Sequence, residues 1–330
     1  MELRKFGPDD AGEIARFVDL DNAMRVDAPW EHRATTYRRE MFMRHGWDGD
    51  LAPHYLAYDA DRAVGYLVVH TSSYDNPELA WLGLGVHPGH RRCGHGTALL
   101  AAAADVCRGL GRPLVGIDGW ESERTRGFAA ATGFEQKSQS INRRQHLREL
   151  PGGLITGLCE EAEKEACDYE LVRLRGYSPD GLLDELAAIT GAINDAPMDD
   201  LEIEDEVFPP ERIRAHERAQ IEGGFRFYRV LARHRGTGEL AGQTVVTVAA
   251  EAPGIGDQHD TSVVRAHRGH RLGLLLKADL VRWLVGTGGV EPQLATIDTW
   301  NTESNDHMVG INERLDYRIM GRTLEFQRWV

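Results

Sequence analysis

The feature that most constrains this chain is that it repeats itself. The segment VHPGHRRCGHGTALL, Val86 to Leu100, aligns with VVRAHRGHRLGLLLK, Val263 to Lys277, at an offset of about 177 residues that sets His90 on His267, Arg91 on Arg268 and Gly96 on Gly273. Further along, Ile117-Asp118-Gly119-Trp120 is answered by Ile297-Asp298-Thr299-Trp300, and Gly133-Phe134 by Asp316-Tyr317. Matching segments kept in order mean one structural unit used twice. Length agrees, because 330 residues exceed one ordinary core and suit two. The sequence therefore predicts a first domain over 1–150, a linker over 151–168 carrying the acidic run CEEAEKEACD, and a second domain over 169–330.

Local patterning gives both copies the same element order. In the first, strands are expected at 3–6, 54–59, 63–70, 79–86, 113–118 and from Phe134 onward, with helices at 9–21, 35–44, 96–110 and 123–132. In the second, strands fall at 169–174, 225–233, 241–250, 293–299 and the chain end, with helices at 181–193, 210–222, 272–285 and 304–315. Two helices, an antiparallel meander, then strand, loop, helix, strand, helix, strand describe an α/β fold. Each domain is a mixed, mostly antiparallel sheet with helices on both faces.

Charge narrows the partners. Against 38 basic residues stand 52 acidic ones, a formal net charge of −14 that repels nucleic acid and anionic membranes and favours a cationic small molecule. No run of 18 apolar residues occurs and the N-terminal stretch lacks the apolar centre of a signal peptide, so a cytoplasmic protein is expected. Cys93, Cys107, Cys159 and Cys167 form no C-x-x-C pair and are read as reduced thiols. Trp120 and Trp300 are expected in the core, where aromatics bury the most area.

The chemistry concentrates in the repeated loop. Arg91-Arg92-Cys93-Gly94-His95-Gly96 lies between a strand and a helix, so its amides and the positive end of the helix dipole converge on one small volume fit for a pyrophosphate. His87, His90, Cys93 and His95 also resemble a metal-ligand set, but the run already explains itself as an anion turn, and no metal is expected. The third glycine that Gly83-x-Gly85 needs for a dinucleotide fingerprint is misplaced.

R-x-x-G-x-G after V-x-P, followed by an Ala/Leu-rich helix, resembles motif A of the GNAT superfamily of N-acetyltransferases. The two-copy layout is similar to that of mycothiol synthase. This resemblance implies acetyl-CoA as co-substrate, with pyrophosphate contacts from Arg91, Arg92, Cys93, Gly94, His95, Gly96 and Thr97 in the first copy. The second copy offers Arg268, Gly269, His270, Arg271, Leu272 and Gly273, with Arg271 standing where the middle glycine belongs. Pantetheine is implied along a splayed strand, at Leu84, Gly85 and Val86 and at Ser262, Val263 and Val264. Asn301 and Asn305 match the asparagines of the family's later helix motif.

The reaction implied is attack of a neutral amine on the thioester. It needs a general base, for which Glu78 in the first copy and Asp257, His259 or Asp260 in the second are candidates. The family's acid is a Tyr before the closing Gly-Phe, and Ala129 and Asn312 occupy that position here. The run 199–206, with Asp199, Asp200, Glu202 and Glu204, is expected to attract a cationic amine to the second copy. An N-acetyltransferase acting on a small amine, as monomer or homodimer, is thus the leading expectation. A mycothiol-synthase-like acetylation of a cysteinyl-sugar amine and a catalytically silent acyl-CoA-binding protein are the alternatives.

Overall fold

A computed structural model describes all 330 residues. In chain order it contains β1 (Glu2–Phe6), α1 (Ala11–Met24), α2 (Thr36–His45), β2 (His54–Asp59), β3 (Arg62–His70), β4 (Leu79–Val86), α3 (His95–Gly109), β5 (Leu114–Trp120), α4 (Glu123–Ala131) and β6 (Glu135–His146). There follow α5 (Leu154–Glu165), β7 (Tyr169–Arg175), α6 (Leu183–Thr190), α7 (Pro210–Glu222), β8 (Phe225–His234), β9 (Leu240–Ala249), β10 (Ile255–Val263), α8 (Leu272–Val285), β11 (Thr296–Thr302), α9 (Asp306–Arg314) and β12 (Tyr317–Trp329). Short polar side chains set several helix starts: Thr35 accepts from the Arg38 amide at 3.1 Å, Ser122 from Thr125 at 3.1 Å and Asn305 from Met308 at 3.1 Å.

The chain forms two compact units, 1–140 with 198–205 and 321–330, and 141–197 with 206–320. The sheet of the first unit runs β1-β2-β3-β4-β5-β12, with β12 counted from Gly321, and β6 up to Ser140 beyond it. Only β4 and β5 are parallel among its registered pairs. The sheet of the second unit runs β7-β8-β9-β10-β11 and then β6 from Ile141, with β10 and β11 as the parallel pair. Both are the mixed, mostly antiparallel sheets that the sequence implied.

Division by chain order differs from this in two respects. The segment 151–168 is not a linker: α5 spans most of it and buries Leu158, Cys159 and Ala162 against the core of the second unit, because its apolar residues recur at helical spacing. The closing strand of the first unit comes from the chain end, where Leu324 and Phe326 pack with Val115, Ile117, Leu99 and Ala103. No local pattern announces a strand partner some 200 residues away.

The second unit buries a lysine. Lys277 on α8 is 1% exposed, donates from Nζ to Asn312 Oδ1 at 2.7 Å and lies 4.9 Å from the centroid of the Tyr317 ring. Burial pushes its pKa down to about 7. An unfolded lysine holds its proton to higher pH, so stability rises between about pH 7 and 10, and below that window the buried charge is fully penalised. Lys277→Met is therefore expected to raise the Tm at pH 6 and to flatten its rise from pH 7 to 9, as read by thermal scans across pH. A chain ending at Met320 is expected to lose the first core while β8 and β9 persist, since deleting single buried Leu or Phe side chains already costs about 2–5 kcal/mol each. Hydrogen exchange should show β5 amides unprotected; continued protection there would contradict the strand assignment.

Candidate functional site

The two repeated loops have one geometry. In the first unit Arg92 and Gly94 adopt left-handed backbone conformations, φ 65° and 81°, and α3 starts at His95. In the second, Gly269 and Arg271 do the same, φ 88° and 55°, and α8 starts at Leu272. The glycine and the arginine have exchanged places between two left-handed positions, each of which favours glycine. Arg271 therefore replaces the middle glycine without altering the turn. The first bonds inside the helices also correspond, Ala98 N–H to Gly94 O and Leu275 N–H to Arg271 O, both at 3.0 Å. The amides of residues 92–97 and 269–274 bond to nothing in the protein, and so leave a concave row of donors at a helix N-terminus.

The leading arginine of each loop is a brace. Arg91 donates from Nε to Val86 O at 3.0 Å and pairs with Asp27 at 2.7 Å; Arg268 donates from Nε to Val263 O at 3.1 Å and pairs with Asp195 at 2.6 Å. Burial opposes it, but Arg124 and Arg91 hold the Asp27 carboxyl below the usual range. Arg265 and Arg268 do the same to Asp195. Arg271 pairs with Glu161 of α5, so its charge is already met.

Each parallel strand pair comes apart beside its loop. β4 is registered with β5 only from Leu79↔Leu114 to Leu82↔Ile117, although it stays paired with β3 to Val86↔Gly65. β10 is registered with β11 only to Asp257↔Asp298 and continues along β9 to Val263↔Gly242. Main-chain groups of Leu84, Gly85 and Val86, and of Ser262 and Val263, that face the departing strand are left without a strand partner. The second unit adds a register shift between Gln258 and Thr261, which sets His259 and Asp260 in a bulge.

The base candidates fare differently. Glu78 precedes β4 at its paired end, where its carbonyl accepts from Leu114 N–H, roughly 26 Å of strand from Val86. It does not reach the split. Asp257 is the last paired residue of β10. His259 is held by Thr247 Oγ1 at 2.9 Å and stacks edge-on with His216 at 5.4 Å; burial, then His216 and Arg229, push its pKa well below the ordinary value, so it is neutral. The Asp260 carboxyl is reached by solvent yet has protein on most sides, and this desolvation raises its pKa against the pull of Arg229 and Arg212.

The acidic run packs with the first unit, not with the second as its place in the chain suggests. Residues 198–205 pack into the first, where Asp199 accepts from Ser138 Oγ at 2.7 Å and the Asp200 amide donates to Lys137 O at 3.1 Å. Glu202 is held by Lys137 at 3.2 Å and Trp329 at 3.1 Å, and the Glu204 amide donates to Asn76 Oδ1 at 2.8 Å. Trp300 is 50% exposed rather than core, whereas Trp120 is half-buried against Trp30 and donates to Glu31 at 3.1 Å. Asn301 accepts from Asn312 at 3.1 Å and Arg143 at 3.3 Å, and Asn305 is the cap of α9. A pocket of about 620 Å³ in the second unit lies between α5, β7 and α8, away from the split; its Arg173, Arg235 and Arg282 already meet Asp279, Glu170 and Glu163. No His, Cys, Asp or Glu group of three is placed to hold a metal ion, and no helix is long and apolar enough to cross a membrane.

One group at the split of the first unit went unassigned in the sequence. Asp118 stands one residue past the last β4–β5 pair, and Trp81 Nε1 donates to its carboxylate at 2.7 Å. Gly116 makes this possible, since a Cβ there would come within 2.1 Å of the Trp81 ring. Asp118 repeats as Asp298, a signal visible in the duplication itself.

Residues 17–134 match the family model described as Acetyltransferase (GNAT) family. Among solved structures, a tandem GNAT protein from the clavulanic acid biosynthesis pathway superposes with a TM-score of 0.79 at 24% identity, covering 99% of this chain and 98% of that one. A GCN5-related N-acetyltransferase from Sphaerobacter thermophilus gives 0.67 at 18% identity, over 99% and 95% of the two chains. No protein of curated function matches the sequence. Residues 17–134 are thus similar to the acetyltransferase (GNAT) family, and the chain as a whole has the fold of a tandem GNAT protein, repeated in its second unit.

Proposed function

We propose that the protein transfers an acetyl group from acetyl-CoA to the primary amine of a small cationic acceptor, and that the first unit performs the transfer. The observation that carries this is the conjunction, in that unit, of the unpaired amides of residues 92–97, the split of β4 from β5, and an open carboxylate-bearing sheet face at the split. Bound acetyl-CoA supplies the activated acetyl thioester. The amides of 92–97 and the N-terminus of α3 hold its pyrophosphate. Unpaired main-chain groups of Leu84, Gly85 and Val86 align its arm, and a β4 amide facing the gap stabilises the developing oxyanion.

The acidic face draws in an ammonium group, and the amine must lose its proton before it attacks. Ala129, 2% exposed, carries no proton for the leaving thiolate, which takes one released by the attacking nitrogen. The second unit has the same loop and split, which supports acyl-CoA binding there as well. The clamp of Arg144 on Asp298 and the position of the acidic run in the other unit argue against a second amine site.

Calorimetry with acetyl-CoA is expected to find two sites in the wild type and one in Gly94→Glu, whose added charge and unfavourable φ disrupt the first cradle by at least tenfold in Kd. Two undiminished sites in that variant would place the cradle elsewhere. Thiol release from acetyl-CoA with spermidine, putrescine, glucosamine or kanamycin should exceed background hydrolysis for at least one; no acceleration by any would sink the transfer reading.

A further inference from the structure

The duplication invites a comparison of one position in two copies. Asp118 in β5 and Asp298 in β11 correspond, and each has a neighbouring strand beside it. In the second unit that neighbour, β6, supplies Arg144, whose Nε and Nη2 clamp Asp298 at 2.6 and 2.7 Å. In the first unit the neighbour is β12, and the residue registered opposite Asp118 is Glu325. Opposed residues of an antiparallel pair share a face with Cβ atoms about 5 Å apart. The same place in the fold thus holds an ion pair in one unit and two carboxylates in the other.

From this juxtaposition at the β4–β5 split we infer that Asp118 and Glu325 form a carboxyl dyad that takes the proton from the incoming ammonium in the first unit, with Asp118 as the catalytic base and Glu325 as its positioning partner. The assignment rests on the first unit being the transferring one.

Several contacts fit that task. Trp81 lies across Gly116 and donates to Asp118 at 2.7 Å, which fixes the carboxylate at the gap and presents an indole beside the amine. Ser140 donates to Glu325 at 2.7 Å. The other groups meeting the pair are the Ser138 hydroxyl and Asp199, and no arginine or lysine bonds to either carboxylate. The Asp118 carboxyl is reached by solvent yet has protein on most sides, and this desolvation raises its pKa against the Trp81 hydrogen bond. Desolvation and then the charge of Asp118, with Asp199 behind it, raise that of Glu325 against its serine donors. The charge of Asp118 opposes ionisation of Glu325 across the strand pair, so the two carboxyls act on one another as like-charged neighbours.

The step balances. The dyad accepts one proton from R–NH₃⁺; the nitrogen lone pair forms the C–N bond as the C–S bond breaks; the second proton leaving nitrogen goes to the thiolate. The products are the amide and free CoA thiol, and the dyad returns its proton to water.

Asp118→Asn is expected to lower kcat/KM about 100-fold or more with the best amine of the panel above. Glu325→Gln keeps the base but removes its like-charged neighbour, so the acidic limb of the kcat/KM profile should move to lower pH. A merely structural carboxylate would not shift that limb. Carbon-13 titration of labelled Asp and Glu carboxyls in the whole chain gives a readout without acetyl-CoA: the signal lost in Asp118→Asn should titrate above the ordinary aspartate range and fall in Glu325→Gln. An active wild type whose two variants keep its kcat/KM and pH limb, or an Asp118 signal in the ordinary range, overturns the dyad alone. A wild type that acetylates none of the amines removes the transfer reading, and the dyad with it.

Discussion

Everything proposed for this protein depends on two parallel strands that stop pairing half way. Each unit has one parallel pair, β4–β5 or β10–β11, among registered pairs that are otherwise antiparallel. Where the pair is registered, both backbones are satisfied; where it opens, one strand keeps its outer partner and turns unsatisfied groups into a gap. Backbone groups left free at such an opening are met by water or by a ligand that enters it. The loop after β4 or β10 places a second row of free amides at the end of that gap. An extended ligand with an anionic middle and an amide-bearing arm satisfies both rows at once.

The two copies show which parts of this design tolerate change. The loop keeps its conformation while its residues trade places, because the requirement is for two left-handed backbone positions and a helix start, and one glycine at either position suffices alongside an exposed arginine. The brace from the leading arginine to an aspartate is also kept, at 2.7 Å in one unit and 2.6 Å in the other. What changes is the sheet face beyond the split. There the first unit has Trp81, Asp118 and Glu325, and the second has Asp298 neutralised by Arg144, together with a bulge that carries a neutral His259.

This division explains what could be read from the sequence. The loop, the strand before it and the helix after it are contiguous, so their spacing reveals them and their repetition makes the reading secure. Asp118 was visible as a repeated residue, but nothing in its surroundings marked it as chemical. Glu325 lies more than 200 residues from its neighbour Asp118, and only strand pairing brings them together. The acidic run 199–206 was legible as charge, yet its location was not: residues 198–205 dock on the first unit through hydrogen bonds of Asp199, Glu202 and Glu204 to Ser138, Gln327 and Asn76. Sequence order assigned them to the copy they sit in, and chain exchange moved them to the other.

The position of the family's acid gives the same lesson in reverse. In the first unit it is Ala129, buried in the α3–α4 core and chemically inert. In the second it is Asn312, fully buried, accepting from Lys277 and donating to Asn301. A lysine with a depressed pKa and two asparagines form a chain that orders the second unit's interior, and no member of it reaches solvent freely. The units have therefore diverged in opposite directions from one scaffold. The first keeps destabilising carboxylates on an open face next to the split, and the second satisfies its carboxylate with arginine and places its costly charge in the core. A group that is unstable and exposed at a gap is available to a ligand; one that is unstable and sealed is not, and this difference in access is why the transfer chemistry is assigned to the first unit.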